Sequence, residues 1–129
     1  MTEFYQCQKR AQMVIEQIRV YRFPLPAQTT YNMSSSTVSL PQSTIVELID
    51  TSGMKGYGEA CLATPEAQSA SNDDVLAAMG VLAPSIIGLD PTDFSTVNAF
   101  MDASSAPLSE GKAALDIACW DLTGKKTNK

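Results

Sequence analysis

The sequence predicts an α+β fold, in which a three-stranded antiparallel β-meander is followed by a small helical bundle. Segments rich in Val, Ile, Tyr and Phe, which are typical of strands, all lie in the first half of the 129 residues. Helical periodicity of the apolar residues begins beyond Thr64 and continues to the end of the chain. Strands followed by helices are the pattern of an α+β domain, and the chain is long enough to bury one core.

Three strands are expected at residues 14–23, 43–50 and 57–61. Pro24 and Pro26 end the first strand, because proline cannot donate a hydrogen bond to a neighbouring strand. The second strand has apolar residues on both faces, which favours burial from two sides.

The connections between these strands differ in length. Residues 27–40 form a polar loop, rich in Ser and Thr, that is longer than an ordinary connection, and such loops are usually functional or mobile. Residues 51–56 form a turn, in which Gly53 and Gly56 are expected to adopt positive φ angles.

Two helices are expected before the C-terminal one. Residues 71–74 can cap a helix that runs to about residue 87, and Gly88 ends it. Asp90 and Pro91 are expected to cap and open the next helix. The buried side of the first of these helices is formed by Val75, Leu76, Met79, Leu82 and Ile86.

The C-terminal helix is expected to begin at Ser109, whose hydroxyl can cap it, and to end at Gly124 in a left-handed conformation. Its first apolar face is formed by Leu115, Ala118, Cys119 and Leu122, and its second face by Ala114, Ile117, Trp120 and Asp121. A helix with two such faces needs two packing partners. We therefore expect another domain or another chain to cover the second face.

The spacing within this helix also predicts i,i+4 ion pairs of Lys112 with Asp116 and of Asp121 with Lys125. Asp116 and Asp121 are five positions apart and point in different directions around the helix. We therefore interpret them as ion-pair partners rather than as catalytic carboxylates, and Trp120 as a packing anchor.

Composition excludes several classes of function. The net charge is −5 without a basic cluster, which argues against nucleic acid as a partner. No apolar run approaches the roughly 20 residues of a membrane span, and the first residues lack the apolar core of a signal peptide, so a cytoplasmic location is expected. Three widely spaced cysteines and the absence of histidine argue against a metal site and favour buried thiols.

Three motifs carry a resemblance to a known family. Residues 112–125 (KAALDIACWDLTGK) resemble the signature that closes the N-terminal domain of the mandelate racemase/muconate lactonizing enzyme family, in the enolase superfamily. Residues 56–60 (GYGEA) resemble the Gly-Trp-Gly-Glu-Ala segment of its third strand, with tyrosine where tryptophan is common. Residues 87–91 (IGLDP) resemble the link between two of its helices. Together, and in this order, the motifs are specific.

The resemblance implies a domain organisation. Residues 1–12 would be an N-terminal extension, expected to be disordered, and residues 13–129 an enolase-superfamily N-terminal capping domain, truncated before the (β/α) barrel. Both Met1 and Met13 remain candidate starts.

Family members are Mg²⁺-dependent racemases, epimerases, lactonizing enzymes or dehydratases that abstract a proton α to a substrate carboxylate. Their base lysines and three metal ligands lie on the barrel, so no catalytic residue and no metal ligand is transferred to this chain. We expect it to bind no cofactor and to be inactive alone, with Mg²⁺ and a small carboxylate substrate bound by the full-length enzyme. The expected partners are the missing barrel domain, in cis or in trans, or a homo-oligomer. The alternative is a stand-alone binding or interaction module that retains this fold.

In the family, two loops of this domain reach over the barrel and shape substrate specificity. By position they correspond to residues 27–40 and 61–64. The resemblance thus makes Thr30, Tyr31 and Met33 candidates for substrate binding, with Tyr57 a further candidate nearby.

Overall fold

The structure is a computed structural model that describes residues 13–24, 31–32, 37–38, 42–61, 72–104 and 109–129. Strands precede helices, as predicted. The elements are β1 (Ile15–Pro24), β2 (Tyr31–Asn32), β3 (Thr37–Val38), β4 (Gln42–Asp50), β5 (Lys55–Cys61), α1 (Asn72–Ile86), α2 (Phe94–Ala103) and α3 (Ser109–Thr127). The predicted extension at residues 1–12 lies outside the described residues, and the division into domains stays a prediction.

The long strands form the predicted antiparallel sheet, in the order β1-β4-β5. The central position of β4 agrees with its apolar residues on both faces. The short strands β2 and β3 pair separately, so the segment predicted as a loop at 27–40 contains a two-stranded pair. Thr37 and Val38 are β-branched and favour an extended backbone. Sequence reasoning missed this signal because the surrounding segment is rich in polar residues, which are typical of loops.

The pairing register divides the side chains of the sheet between two faces. The inner face, which packs against the helices, consists of Ile18, Val20, Arg22, Thr44, Val46, Leu48, Gly56, Gly58 and Ala60. The outer face consists of Gln17, Arg19, Tyr21, Phe23, Ser43, Ile45, Glu47, Ile49, Lys55, Tyr57, Glu59 and Cys61. The core is continuous from the inner face into α1, α2 and α3.

Two glycines of β5 allow α3 to pack directly on the sheet backbone. A Cβ atom at Gly58 would lie 1.8 Å from the carbonyl oxygen of Ala114, and one at Gly56 would lie 2.1 Å from that of Ala118. The expectation of a positive φ at Gly56 is therefore wrong, since Gly56 is a strand residue whose missing side chain makes room for a helix. The turn before β5 does have a positive φ at Gly53, of +85°.

The first helix ends as predicted, with Gly88 at a φ of +86°. The second helix begins at Phe94, so the predicted start at Asp90 is wrong. The Asp93 side chain caps α2 by accepting a hydrogen bond from the Thr96 N–H at 3.1 Å. Asp90 instead organises the preceding turn by accepting one from the Thr92 N–H at 2.8 Å.

The last helix is one turn longer than the sequence predicted. Gly124 lies inside α3, and the residue with a positive φ is Asn128, at 54°. The Lys129 N–H donates to the Gly124 carbonyl oxygen at 3.0 Å, which closes the C-terminal turn. The prediction of Gly124 as the end is wrong because asparagine also tolerates the left-handed conformation.

One of the two predicted ion pairs of α3 forms. The Lys125 ammonium lies 2.6 Å from the Asp121 carboxylate, as predicted. Lys112 pairs with Asp102 of α2 at 3.0 Å, and Asp116 accepts a hydrogen bond from the side chain of Asn98, also in α2. The predicted pair of Lys112 with Asp116 is wrong because α2 packs alongside α3 and offers each of them a partner.

Candidate functional site

The segment that follows β1 and the segment that follows β5 leave the sheet at the same end. Pro24, the last residue of β1, pairs with Gln42, the first residue of β4. Ser43 of β4 pairs in turn with Cys61, the last residue of β5. The two chain segments that the resemblance associates with specificity therefore start next to each other, at one end of the sheet.

The four predicted site residues differ in what the structure says of them. Thr30 and Met33 lie outside the described residues, and Tyr31 is described only by its backbone in β2. Tyr57 lies in the middle of β5, and at the usual rise per residue it is about 13 Å from the end at Cys61. Their assignment to substrate binding stays a prediction.

Tyr57 belongs to a cluster around one carboxylate on the outer face. Glu47 is only 4% exposed, because long side chains from both neighbouring strands cover it. The hydroxyls of Tyr57 and Tyr21 donate hydrogen bonds to it at 3.0 and 3.1 Å. The Lys55 ammonium lies 2.9 Å and the Arg19 guanidinium 3.5 Å from it. The Tyr57 hydroxyl is thus already engaged in a structural hydrogen bond.

This cluster changes the acidity of its members. The hydrogen bond from Lys55 lowers the pKa of Glu47; the two tyrosine hydroxyls act in the same direction, and burial opposes them. The same hydrogen bonds raise the pKa of Lys55 and the pKa of Tyr57, because each stabilises the protonated form of its donor. The cluster is therefore a carboxylate held ionised by protonated neighbours, which is a stabilising arrangement and not that of a general base.

Side chains of α3 cover the free edge of β5. Asp121 accepts a hydrogen bond from the Tyr57 backbone N–H at 2.8 Å, and Lys125 donates one to the Lys55 carbonyl oxygen at 3.0 Å. The Lys125 ammonium also lies 4.8 Å from the centre of the Tyr57 ring. Backbone groups that an edge strand would otherwise offer to another chain are thereby satisfied within the domain.

A second buried carboxylate lies at the opposite end of the sheet, where β4 turns into β5. Asp50 is fully buried, and its Oδ1 atom accepts hydrogen bonds from the backbone N–H groups of Ser52 and Met54 at 2.8 and 3.1 Å. Its Oδ2 atom lies 3.6 Å from the Lys126 ammonium. Burial raises the pKa of Asp50, but the hydrogen bonds and Lys126 together outweigh it and lower this pKa.

An apolar stripe remains exposed on α3. Ile117 and Trp120 are 49% and 56% exposed, and the Trp120 ring stacks on Phe94 with 3.8 Å between ring centres. Ala114, which was expected on this second face, is instead fully buried against Gly58. The prediction for Ala114 is wrong because the glycine of β5 brings the sheet closer to α3 than the periodicity indicates.

Within the described ranges, no group of three or more His, Cys, Asp or Glu side chains could hold a metal ion. The described helices also include none that is long and apolar enough to cross a membrane.

Comparison with known proteins identifies the relationship. The family model for the mandelate racemase/muconate lactonizing enzyme N-terminal domain matches residues 16–129. The chain belongs to this family. A cis-3-hydroxy-L-proline dehydratase from Roseibium aggregatum is 36% identical over 119 residues, which are 91% of this chain and 32% of the dehydratase.

Solved structures of the enolase superfamily share the fold. A dipeptide epimerase from Enterococcus faecalis, complexed with Mg and the dipeptide L-Leu-L-Tyr, superposes with a TM-score of 0.80 at 30% identity, over 88% of this chain and 32% of the epimerase. A magnesium complex of a mandelate racemase/muconate lactonizing enzyme homologue from Roseovarius nubinhibens superposes with a TM-score of 0.80 at 29% identity, over 88% and 31% of the two chains. The curated relatives also include racemases and cycloisomerases. The chain thus spans about a third of the length of the relatives that it matches.

Sequence reasoning identified Tyr57 as a candidate but missed the cluster around Glu47 in which its hydroxyl takes part. The signal was the alternation of β1, which places Arg19 and Tyr21 on one face, next to Glu47, one of the two charged residues of β4. Glu47 lies beside Arg19 of β1 and Tyr57 of β5 because of the strand register, which the sequence does not determine. Glu59 accepts a hydrogen bond from the Ser43 hydroxyl.

Proposed function

We propose that this chain is the capping domain of a Mg²⁺-dependent enzyme that abstracts the proton α to the carboxylate of a small substrate. Membership of the family supports the reaction class, since its relatives are dehydratases, epimerases, racemases and cycloisomerases. The chemistry needs a divalent cation and a positioned base, and neither is expected from the residues of this chain. A (β/α) barrel in cis or in trans would supply both.

The observation that carries the capping role is the shared origin of two segments at one end of the sheet. Residues 25–41 leave from Pro24 and return at Gln42, and the segment after Cys61 starts beside them. Segments anchored at one end of a rigid sheet can close over a neighbouring site, exclude water and contact substrate. Thr30, Tyr31 and Met33 are the proposed specificity residues of the first segment, and Tyr57 would act from further inside the sheet.

The stripe of Ile117 and Trp120 is the proposed contact with the barrel. About half of each side chain is exposed, and burial of this surface would stabilise the assembly. The same stripe supports the second candidate, an interaction module that covers it with another chain or with a second copy. The gene sequence beyond codon 129 separates the two. A continuing reading frame with Lys-x-Lys and three spaced acidic residues supports the enzyme, and a stop codon supports the interaction module.

The functional test is a chimera. Residues 13–129 replace the matching N-terminal third of the dipeptide epimerase, and α-proton exchange in D₂O is followed with several dipeptides and Mg²⁺. We expect the 129-residue chain alone to show no exchange and the chimera to show exchange with a changed substrate preference. Tyr31→Ala and Met33→Ala should then change KM more than kcat, whereas the control Val81→Ala, on the exposed side of α1, should change neither. Exchange by the isolated chain, or a preference that Tyr31→Ala and Met33→Ala leave unchanged, contradicts the proposal.

A further inference from the structure

The inner face of the sheet becomes polar toward one end. Its cross-strand rows that begin at Ile18 and Val20 of β1 contain only apolar side chains and glycine. The next row, toward the end where residues 25–41 leave β1, consists of Arg22, Thr44 and Ala60. Thr44 and Ala60 are buried, whereas about half of the Arg22 side chain is exposed. Arg22 therefore places a cation at this end of the sheet, on the face that packs against the helices.

The Arg22 guanidinium lies beside the first turn of α1. Its Nη1 atom donates a hydrogen bond to the Asp73 carboxylate at 2.6 Å. Arg22 is two residues from Pro24, which corresponds to about 7 Å along the strand. The contact with Asp73 therefore brings the start of α1 to the end of the sheet from which residues 25–41 leave. The guanidinium thus lies at the end that is proposed to face the substrate.

The ion pair with Asp73 does not account for a cation at this position. The side chains of Arg22 and Asp73 are 50% and 82% exposed, and ion pairs that are exposed in this way contribute little to stability. Asp73 is also stabilised without Arg22, because negative charge is favourable in the first turn of a helix. Within the part of the chain that the structure describes, Asp73 engages one of the five N–H donors of the guanidinium, which leaves the others available to a ligand.

We propose that Arg22 is a specificity residue that binds a second carboxylate of the substrate. The inference rests on the proposed function and adds to it the class of substrate, which is an acid with another carboxylate away from the reacting carbon. A planar guanidinium binds a carboxylate best through two parallel hydrogen bonds, and its single contact with Asp73 does not use this geometry. A substrate carboxylate that forms both hydrogen bonds therefore displaces Asp73.

The carboxylate that Arg22 binds is a second one because the first is needed elsewhere. In the proposed enzyme, the carboxylate beside the reacting carbon would lie at the Mg²⁺ of the barrel, where the charge that develops on proton abstraction is stabilised. A residue of the capping domain then contacts the other end of the substrate. A chain of net charge −5 repels a carboxylate there unless a cation meets it, and Arg22 supplies that cation.

The chimera with the dipeptide epimerase provides the test. Dipeptides with Glu or Asp at either position are compared with their Gln or Asn counterparts, which have nearly the same shape but no second carboxylate. We expect kcat/KM for at least one acidic dipeptide to exceed that of its amide about tenfold. Arg22→Gln should abolish this preference by raising KM for the acidic dipeptide about tenfold, with its kcat and the KM for the amide unchanged. Arg22→Lys should retain part of the preference, since it keeps the charge but not the paired hydrogen bonds.

Asp73→Asn distinguishes substrate binding from a structural role of the ion pair. This variant and Arg22→Gln remove the same ion pair, so a purely structural role predicts the same change in KM for both. The proposal predicts opposite changes, because Asp73→Asn removes the competing carboxylate and should lower KM for the acidic dipeptide about twofold. The matched control is Arg19→Gln, which should change neither KM, since Arg19 lies on the outer face of the same strand and is 51% exposed, against 50% for Arg22.

The possible failures of this inference and of the proposed function are distinguishable. Exchange without a preference for any acidic dipeptide, or a change of KM in the same direction in Arg22→Gln and Asp73→Asn, overturns this inference alone. A chimera without exchange activity overturns the proposed function and this inference with it. Circular dichroism and urea denaturation establish that each variant retains the fold, and we expect midpoints near that of the wild-type protein because the ion pair is exposed.

Discussion

Replacement of Gly58 by alanine should destabilise this domain strongly, although glycine is normally the weaker residue in a strand. The added Cβ would lie 1.8 Å from the carbonyl oxygen of Ala114 and 3.0 Å from the backbone nitrogen of Ala118. Both contacts are with the backbone of α3, so no side-chain rotation can relieve them. Real contacts of this type are essentially never shorter than 3.0 Å, which means that sheet and helix must separate by roughly the difference, 1.2 Å.

The magnitude follows from what this separation disrupts. The side chains of α3 that pack on the sheet and on α1 are fully buried, and they are Leu115, Ala118, Cys119 and Leu122. A gap of 0.5 to 1 Å removes roughly a quarter to a half of the attraction at such contacts. Overpacking costs about 1–3 kcal/mol, and the rigid backbone on both sides places Gly58→Ala at the upper end, about 3 kcal/mol. Alanine also reduces the conformational entropy of the unfolded chain, which stabilises the folded state by about 0.5–1 kcal/mol. The net decrease in the free energy of unfolding is then about 2 kcal/mol, out of a total of about 5–15 kcal/mol.

Urea denaturation followed by circular dichroism measures this loss. The matched control is Gly80→Ala in α1, where a Cβ meets nothing within 4 Å, and it should stabilise the domain by about 0.5–1 kcal/mol through helix propensity. A net loss of about 2 kcal/mol lowers the urea midpoint by about 1 M. If Gly58→Ala unfolds within about 0.5 kcal/mol of the wild-type protein, direct packing of α3 on the β5 backbone is refuted.

Three further predictions concern titratable groups and the edge of the sheet. The pKa of Asp50 is lowered in the folded state, so its ionised carboxylate stabilises the fold above the unfolded pKa of about 3.8. This contribution is lost as the pH falls below that value. Between pH 5 and about 3 the urea midpoint should therefore fall less in Asp50→Asn than in the wild-type protein. Burial, with a smaller contribution from a nearby carboxylate, raises the pKa of Cys119 to about 12. A thiol reagent at pH 8 should therefore label the exposed Cys61, but it should label Cys119 only after unfolding. Mass spectrometry identifies the labelled cysteines. Asp121→Ala leaves the Tyr57 N–H without its acceptor at the edge of the sheet. The free energy of unfolding should decrease by about 1 kcal/mol, and hydrogen exchange of the Tyr57 amide should become faster. An unchanged exchange rate would contradict the role of Asp121.

Local signals in the sequence were sufficient for the order and type of the elements. The β-branched and aromatic residues predicted β1, β4 and β5, and the 3.6-residue period predicted the helices and the buried face of α3 from Leu115 to Leu122. Helix boundaries were less accurate. Asp90 and Asp93 are both suitable capping residues, and only the conformation of the intervening turn makes Asp93 the cap.

The candidate site was predictable only as a location. The family signature at residues 112–125 and the matching family model agree on the fold and its relatives, and the resemblance points to the segments at one end of the sheet. The contacts of Tyr57 were not predictable, because they depend on three strands whose register is set by long-range pairing.

The sequence by itself determined the fold class, the three motifs of the family and the apolar faces of the helices, because each is encoded within a short stretch of chain. The tertiary structure decided which partners those stretches meet. Gly56 and Gly58 appear from the sequence to be turn or strand glycines, and only the approach of α3 shows why a side chain is excluded there. Likewise, Glu47 lies between two apolar residues in the sequence, and only the strand register surrounds it with four donors. Contacts between distant parts of the chain depend on the packing of whole elements, and no local pattern specifies them.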